Sequence, residues 1–325
     1  MTHILLYWNH ICVLHRQEKA FLDGLTQKLL SDGIQLEVRY FGLGYPEHMS
    51  EYLARPDAVL PDLIVSADLE VFEDPDIFCK LKDDLYPVRS WMSLRSGPML
   101  DAVERGPFLL PFLSIPLVYY TREPEVCGHT ALADWNGLAF GGINNSAVKT
   151  VVKAVWERWG HQAAEALLER SLVTDMPIGA FQAVRQGQAS TALVPSLYAL
   201  RADGQETFLQ IPREGPVLIP SYFCARTSVP QSIACRMVKE ILCQELCSFY
   251  AVNGDLIVYP EHAQGKSQQE SPSACCPSTE WLASLTHDEF YGLYCQKLSK
   301  ATDWVPSRVM RKFVCRFWLN EVSQQ

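Results

Sequence analysis

Four short segments carry side chains suited to holding a small polar molecule: Trp8-Asn9-His10, Ser66-Ala67-Asp68, Asn144-Asn145-Ser146 and Pro195-Ser196-Leu197-Tyr198. Each follows an apolar run, so each sits where a strand is expected to end. Hydroxyls, side-chain amides and the N–H groups at a helix start donate hydrogen bonds without a counter-charge, which suits a bound oxyanion or carboxylate. Ser114 and Tyr222, on two further extended runs, are expected to flank the same cleft, and Trp8, Tyr119, Tyr198 and Tyr222 can close over a ligand. Taken singly, each Ser or Asn has the ordinary use of a helix N-cap worth about 1 kcal/mol. Asp68 reads most simply as a structural carboxylate in a first helical turn. The recurrence at matched strand ends is what marks a binding site.

The stretch after Asn144-Asn145-Ser146 runs Ala147-Val148-Lys149-Thr150-Val151-Val152-Lys153-Ala154-Val155-Trp156 before the first acid, Glu157. A helix usually gains from Asp or Glu near its positive N-terminus. Its absence leaves those N–H groups open to a ligand's negative end.

Other chemistries find little footing. The chain has no GxSxG, no phosphate-cradling P-loop and no GxGxxG; Gly141-Gly142 is too short to count. His10 is the only histidine at an expected cleft loop, and an enzyme would pair it with Asp68. Nothing matches HExxH or paired CxxC spacing, so neither a metal nor a cofactor is expected. Cys235, Cys243 and Cys247 fall on one side of an expected helix, where a thiol serves as a small hydrophobe. Cys275-Cys276 lies in a polar stretch, and exposed vicinal thiols there would suit a metal or redox sensor.

The elements that must position these residues alternate. Ile4–Trp8, Ile34–Phe41 and Pro61–Val65 read as strands; Phe21, Leu22, Leu25, Leu29 and Leu30 mark a helix ended by Asp32-Gly33. Pro46–Leu53 reads as a shorter helix. Leu109–Arg122 is a long extended run. Ala139–Ile143 is a strand and Ser146–Trp159 a helix, with Val148, Val151, Val152, Val155 and Trp159 as its buried stripe. Helices over Ala163–Arg170 and from Pro177 to Gln186, a strand over Ser190–Val194, and extended runs at Phe208–Pro212 and Val217–Phe223 follow. Gln231–Tyr250 reads as one helix. Glu261–Ser278, rich in Gln, Ser and Pro, reads as a surface loop, and the pattern from Thr279 onward is helical. Strands alternating with helices predict a mostly parallel sheet covered on both faces.

At 325 residues the chain exceeds what one core usually serves. Its 48% hydrophobic and 20% charged composition is that of a globular protein. A net charge of -9 argues against broad nucleic-acid binding. The one basic cluster, Arg308, Arg311, Lys312 and Arg316, reads as the solvated face of an amphipathic helix. No apolar run approaches a membrane span. Eleven cysteines, with no secretory leader ahead of Ile4, point to the cytoplasm; a trimmed leader would make the protein periplasmic or extracellular.

Several segments in order resemble the type II periplasmic-binding-protein fold, the solute-binding proteins of ABC transporters. They are Pro61-Asp62-Leu63-Ile64-Val65-Ser66-Ala67-Asp68, Pro116-Leu117-Val118-Tyr119-Tyr120-Thr121, Leu132-Ala133-Asp134-Trp135, and Val184-Arg185-Gln186-Gly187-Gln188-Ala189 followed by Ala192-Leu193-Val194-Pro195-Ser196. The resemblance covers roughly residues 60–225. It implies two doubly wound α/β lobes with central mixed sheets, joined by two crossover hinge segments and followed by a C-terminal helical extension. On that reading residues 1–112 and 223–325 make lobe one, with the extension packed on it, and 113–222 make lobe two. The implied function is binding of a small polar or anionic solute with lobe closure. The implied partners are the small-molecule ligand and, if the chain is exported, an ABC transporter permease. The same scaffold also hosts cytosolic enzymes of menaquinone and thiamin-precursor synthesis.

Overall fold

The structure, a computed structural model, describes residues 1–42, 44–263 and 273–298. The chain divides into two compact units, one built from Met1–Ile115 with Pro220–Glu270, the other from Pro116–Ile219 with the chain after Ser271.

In the first unit β1 (Thr2–Asn9) lies between β2 (Ile34–Phe41) and β3 (Leu63–Ser66), parallel to both, with Leu6 paired to Val38 on one side and Leu63 on the other. A central parallel strand is covered on both faces, which is why Leu6, Tyr7 and Trp8 are buried in succession. The helix His15–Ser31 links β1 to β2 and buries Leu22, Leu25 and Leu29. It ends where expected: Gly33 takes a left-handed φ of 77°, and the Asp32 and Gly33 amides donate to the last carbonyls.

The long strand β4 (Leu110–Thr121) begins in the first unit and ends in the second. There β5 (Ala139–Gly141) lies parallel between β6 (Leu172–Thr174) and β7 (Thr191–Pro195), and β7 runs antiparallel to β4. A short β8 (Phe208–Gln210) also pairs antiparallel with β4. The helices Ser146–Trp159, His161–Arg170 and Pro177–Arg185 complete the alternation. β9 (Val217–Ala225) then returns the chain to the first unit, where it pairs antiparallel with β3, and β10 (Ile257–Val258) pairs with β4. The first two crossings between units fall at an Ile-Pro step, Ile115-Pro116 and Ile219-Pro220.

Three expectations change. The helix expected from Pro46 begins only at Met49, because His48 and Glu51 form a capping box at its start. The single helix expected over Gln231–Tyr250 is two, Gln231–Ile241 and Gln244–Gly254, with Cys243 extended between them. The C-terminal helices Thr279–Ser284 and His287–Leu298 make their described contacts in the second unit, not on lobe one. Lys297 pairs with Glu165 and Glu169 at 2.6 and 2.5 Å, and Ser278 donates to Glu157. The basic cluster Arg308, Arg311, Lys312 and Arg316 lies outside the described residues. No helix of the described residues is long and apolar enough to cross a membrane.

Candidate functional site

Because β1, β2 and β3 are parallel, their carboxyl ends, Asn9, Phe41 and Ser66, share one edge of the first unit's sheet. That is where ligands bind in open α/β sheets. His10 follows Asn9 directly, and its backbone N–H donates to the Phe41 carbonyl. Its side chain is fully buried. The ring stacks on Tyr40 at 4.8 Å and on Tyr45 at 5.6 Å between centroids. Nδ1 lies 2.7 Å from Glu18 Oε2, so the carboxylate holds the Nδ1 proton. Nε2 is buried and has no hydrogen-bond partner among the described residues.

Glu18 is itself fully buried, and it also accepts from the Ile11 N–H at 3.0 Å and from the Tyr250 hydroxyl at 2.7 Å. Burial, followed by the Glu18 charge, raises the Tyr250 hydroxyl well above its ordinary range, so it remains a donor. Burial likewise pushes Tyr40 up to about 12. Gly42 makes room for this edge: its φ is 105°, and a Cβ there would sit 3.1 Å from the His10 carbonyl.

The expected pairing of His10 with Asp68 does not form. Asp68 accepts from the Ser50 N–H at 2.9 Å, capping the start of the helix Met49–Leu53, and its own N–H donates to Ser66 Oγ at 3.0 Å. Trp8 is a core ring, 1% exposed, with its Nε1 buried and unpartnered among the described residues. Ser114, expected at the cleft, bonds to the Tyr259 hydroxyl at 2.6 Å inside the first unit. Tyr222 donates to the Val103 carbonyl at 2.6 Å and packs edge-on against Phe72. These two hold the unit together because long runs of β4 and β9 are buried on both faces.

In the second unit, β5 and β7 are adjacent and parallel, so Asn144-Asn145-Ser146 and Ser196-Leu197-Tyr198 follow neighbouring carboxyl ends. Asn145 caps the helix Ser146–Trp159 by accepting from the Ala147 N–H at 2.9 Å, and the first turn holds no acid. Ser146 is buried and Asn144 half-buried. Ser146, Lys149 and Lys153 share one helix face. Gly142, with φ 101°, gives the turn before them its shape, since a Cβ there would collide with the Asn145 side chain. Ser196 is buried at the start of the short helix Ser196–Ala199, and the buried Tyr198 ring packs near Phe181 and under Arg201. Tyr119 is core as well, accepting from the Trp135 N–H at 2.7 Å.

Sequence reasoning missed Glu18, Tyr40, Tyr45 and Tyr250. Glu18 had a readable signal: it stands four, seven and eleven residues before Leu22, Leu25 and Leu29, a carboxylate in the buried register of its helix. The vicinal thiols are not an exposed pair, for Cys275 is buried and bridges to Val217. Burial raises the thiols of Cys224, Cys247 and Cys275 to about 12, which opposes the thiolate that a sensor would need. No group of three His, Cys, Asp or Glu that could hold a metal occurs among the described residues.

No protein-family model and no curated protein matches the chain. Solved structures do. The ferric binding protein from Campylobacter jejuni aligns with a TM-score of 0.67 at 12% identity, over 90% of this chain and 99% of that one. Iron-bound HitA from Pseudomonas aeruginosa gives 0.66 at 15%, over 91% and 99%. Trichodesmium IdiA (FutA), in complex with iron and citrate, gives 0.63 at 13%, over 91% and 99%. At these identities the structural agreement shows a shared fold.

Proposed function

With the type II periplasmic-binding-protein fold as the premise, we propose that this chain is a solute-binding protein that takes a small polar or anionic ligand at its strand-end loops. The main support is the start of the helix Ser146–Trp159, which has a neutral Asn145 cap, no acid in the first turn and Lys149 one turn in. A ligand's negative end gains there from the helix dipole. In the first unit, the buried His10 Nε2 supplies an acceptor for a ligand hydroxyl or N–H.

Three of the similar structures are named for iron. A bare ferric ion takes several anionic or imidazole donors, tyrosine phenolates included, whereas the start of the helix Ser146–Trp159 holds no acid. An organic anion or a carboxylate chelate of a metal asks instead for neutral donors and a helix start, which suits this chain better. The expectation of a cytoplasmic protein gains no support from these neighbours, one of which is named a periplasmic binding protein. The enzyme reading has its buried His–carboxylate pair in His10 and Glu18, yet no described residue partners Nε2 to complete an acid–base relay.

A thermal-shift panel of oxyanions, carboxylates, vitamins and ferric citrate tests this, since a ligand favouring the folded state raises the midpoint by mass action. The active ligand should then bind Ser146→Asp at least about tenfold more weakly, a loss of about 1.4 kcal/mol. A panel in which no class moves the midpoint would overturn the reading. Closure of one unit on the other belongs to the same proposal and is read from a ligand-dependent fall in the radius of gyration.

A further inference from the structure

The His10 ring lies one side chain below the surface of the first unit. Its own side chain is fully buried, and Nε2 has no partner among the described residues. The rings around it are nearer to solvent: Tyr40 is half-buried, and Tyr45 and His15 are exposed. Between centroids, His10 is 4.8 Å from Tyr40 and 5.6 Å from Tyr45, and the two tyrosines are 6.1 Å from each other, all three rings stacked. Rings on opposite faces of an imidazole, each about 3.5 Å away, would lie at least about 7 Å apart. Tyr40 and Tyr45 therefore sit side by side on one face of His10. Glu18 holds the Nδ1 edge, and the His15 ring stands edge-on at 6.1 Å.

The two tyrosines are held differently. Tyr40 belongs to β2, in register with Trp8 of β1, and its ring is half-buried there. Tyr45 lies beyond the strand. Its N–H donates to the Gly42 carbonyl at 3.1 Å, which ties down its backbone, while its side chain leaves the residue 36% exposed. An exposed side chain changes rotamer within nanoseconds and needs no backbone motion to do so. We propose that the Tyr45 ring is a gate over His10: swung out about its own side-chain bonds, it uncovers Nε2 and admits the hydroxyl or N–H of a solute. The gate takes its purpose from the solute-binding reading, but the motion stands without it. Glu18 keeps the imidazole from turning out to meet a solute, so access falls to the cover. Burying a ring nitrogen without a partner destabilises the closed form, and a hydrogen bond from the solute removes that cost.

The test is acylation of the full chain by diethyl pyrocarbonate, which transfers an ethoxycarbonyl group to an accessible imidazole nitrogen, followed by peptide mapping. The parent is compared with Tyr45→Phe and Tyr45→Ala. Exposed His3 serves as the reference, and alkylation of the buried Cys224 by iodoacetamide reports any loosening of the core. With a gate open in about 0.1–10% of molecules, His10 of the parent should react at least about tenfold more slowly than His3. Tyr45→Phe keeps the ring and should match the parent. Tyr45→Ala should speed the modification of His10 at least about tenfold, with Cys224 still protected. No acceleration in Tyr45→Ala, equal acceleration in Tyr45→Phe, or acceleration accompanied by labelling of Cys224 would overturn the gate. Sodium citrate, added to Tyr45→Ala as a hydroxyl-bearing carboxylate probe, reports separately. Slower modification of His10 with His3 unaffected supports a solute at Nε2. Unchanged modification keeps Tyr45 as the gate and counts against a solute of this kind at His10.

Discussion

His10 Nδ1 and Glu18 Oε2 are 2.7 Å apart with both side chains fully buried, and this contact leaves Nε2 as the ring nitrogen without a partner among the described residues. Glu18 accepts from His10, Ile11 and Tyr250 together, so a buried carboxylate is compensated by three donors from two parts of the first unit. Glu18→Gln keeps the shape and removes the charge, and it forces an amide N–H₂ toward a donor. It should lower unfolding free energy by about 2 kcal/mol, the scale of a hydrogen bond to a charged group. Urea denaturation measures this. Combined with Tyr250→Phe, the loss should be smaller than the sum of the single losses, because the two share one network.

Asp68 gives a contrasting expectation. Its carboxylate caps the helix Met49–Leu53 through the Ser50 N–H, so Asp68→Ala should cost about 1 kcal/mol of stability. If Asp68 were a ligand group, the variant would instead lose affinity at unchanged stability. Denaturation and ligand titration on the same variant separate the two.

Gly142→Ala is expected to disturb the second unit's loop more than Asn145→Ala. The latter loses one cap, about 1 kcal/mol. The former places a Cβ at φ 101° against the Asn145 side chain, so it adds backbone strain of about 1–3 kcal/mol to the loss of the same cap. Paired thermal melts would show the order, and a Gly142→Ala protein as stable as the parent would refute it.

The buried thiols make stability fall at alkaline pH. Their protonated forms are favoured by folding, since burial raises Cys224, Cys247 and Cys275 from an ordinary 9.0 to about 12. A group raised in the folded state contributes fully below its unfolded value and loses that contribution as pH climbs through the folded one. Melting points should therefore decline from about pH 9 upward. Under native conditions at pH 8, the exposed Cys79 should be alkylated before any of these three, as peptide mapping would record.

Much of the alternation was legible because apolar runs and glycine stops report local backbone needs. Asp32-Gly33 ended its helix, and Asn145 capped the next one, as their residue types require. The pairing of His10 was not legible. Asp68 and Glu18 are equally plausible partners in a linear reading, and only the return of the helix His15–Ser31 over β1 brings Glu18 to the ring. The partners of Ser114 and Tyr222 were not legible for a related reason. Hydroxyls on long buried strands must find partners, and here Tyr259 and the Val103 carbonyl supply them within the core. The attachment of the C-terminal helices depended on long-range contacts such as Tyr294 to Ile143, which no local pattern encodes.

The discontinuity of the first unit governs when it can be finished during synthesis. β3 has no neighbour on its outer side until β9 pairs with it, and the pairing residues of β9, Tyr222 to Ala225, are made only after the whole of residues 116–219. A ribosome adds about 5–20 residues each second. For many seconds, therefore, the nascent chain presents the backbone edge of Leu63–Ser66 unpaired, a template for the wrong strand. The second unit waits as well, since the helix His287–Leu298 emerges last of all the described elements. Slowed translation between residues 116 and 219 should then increase misfolding of the first unit, although none of its own residues is being made.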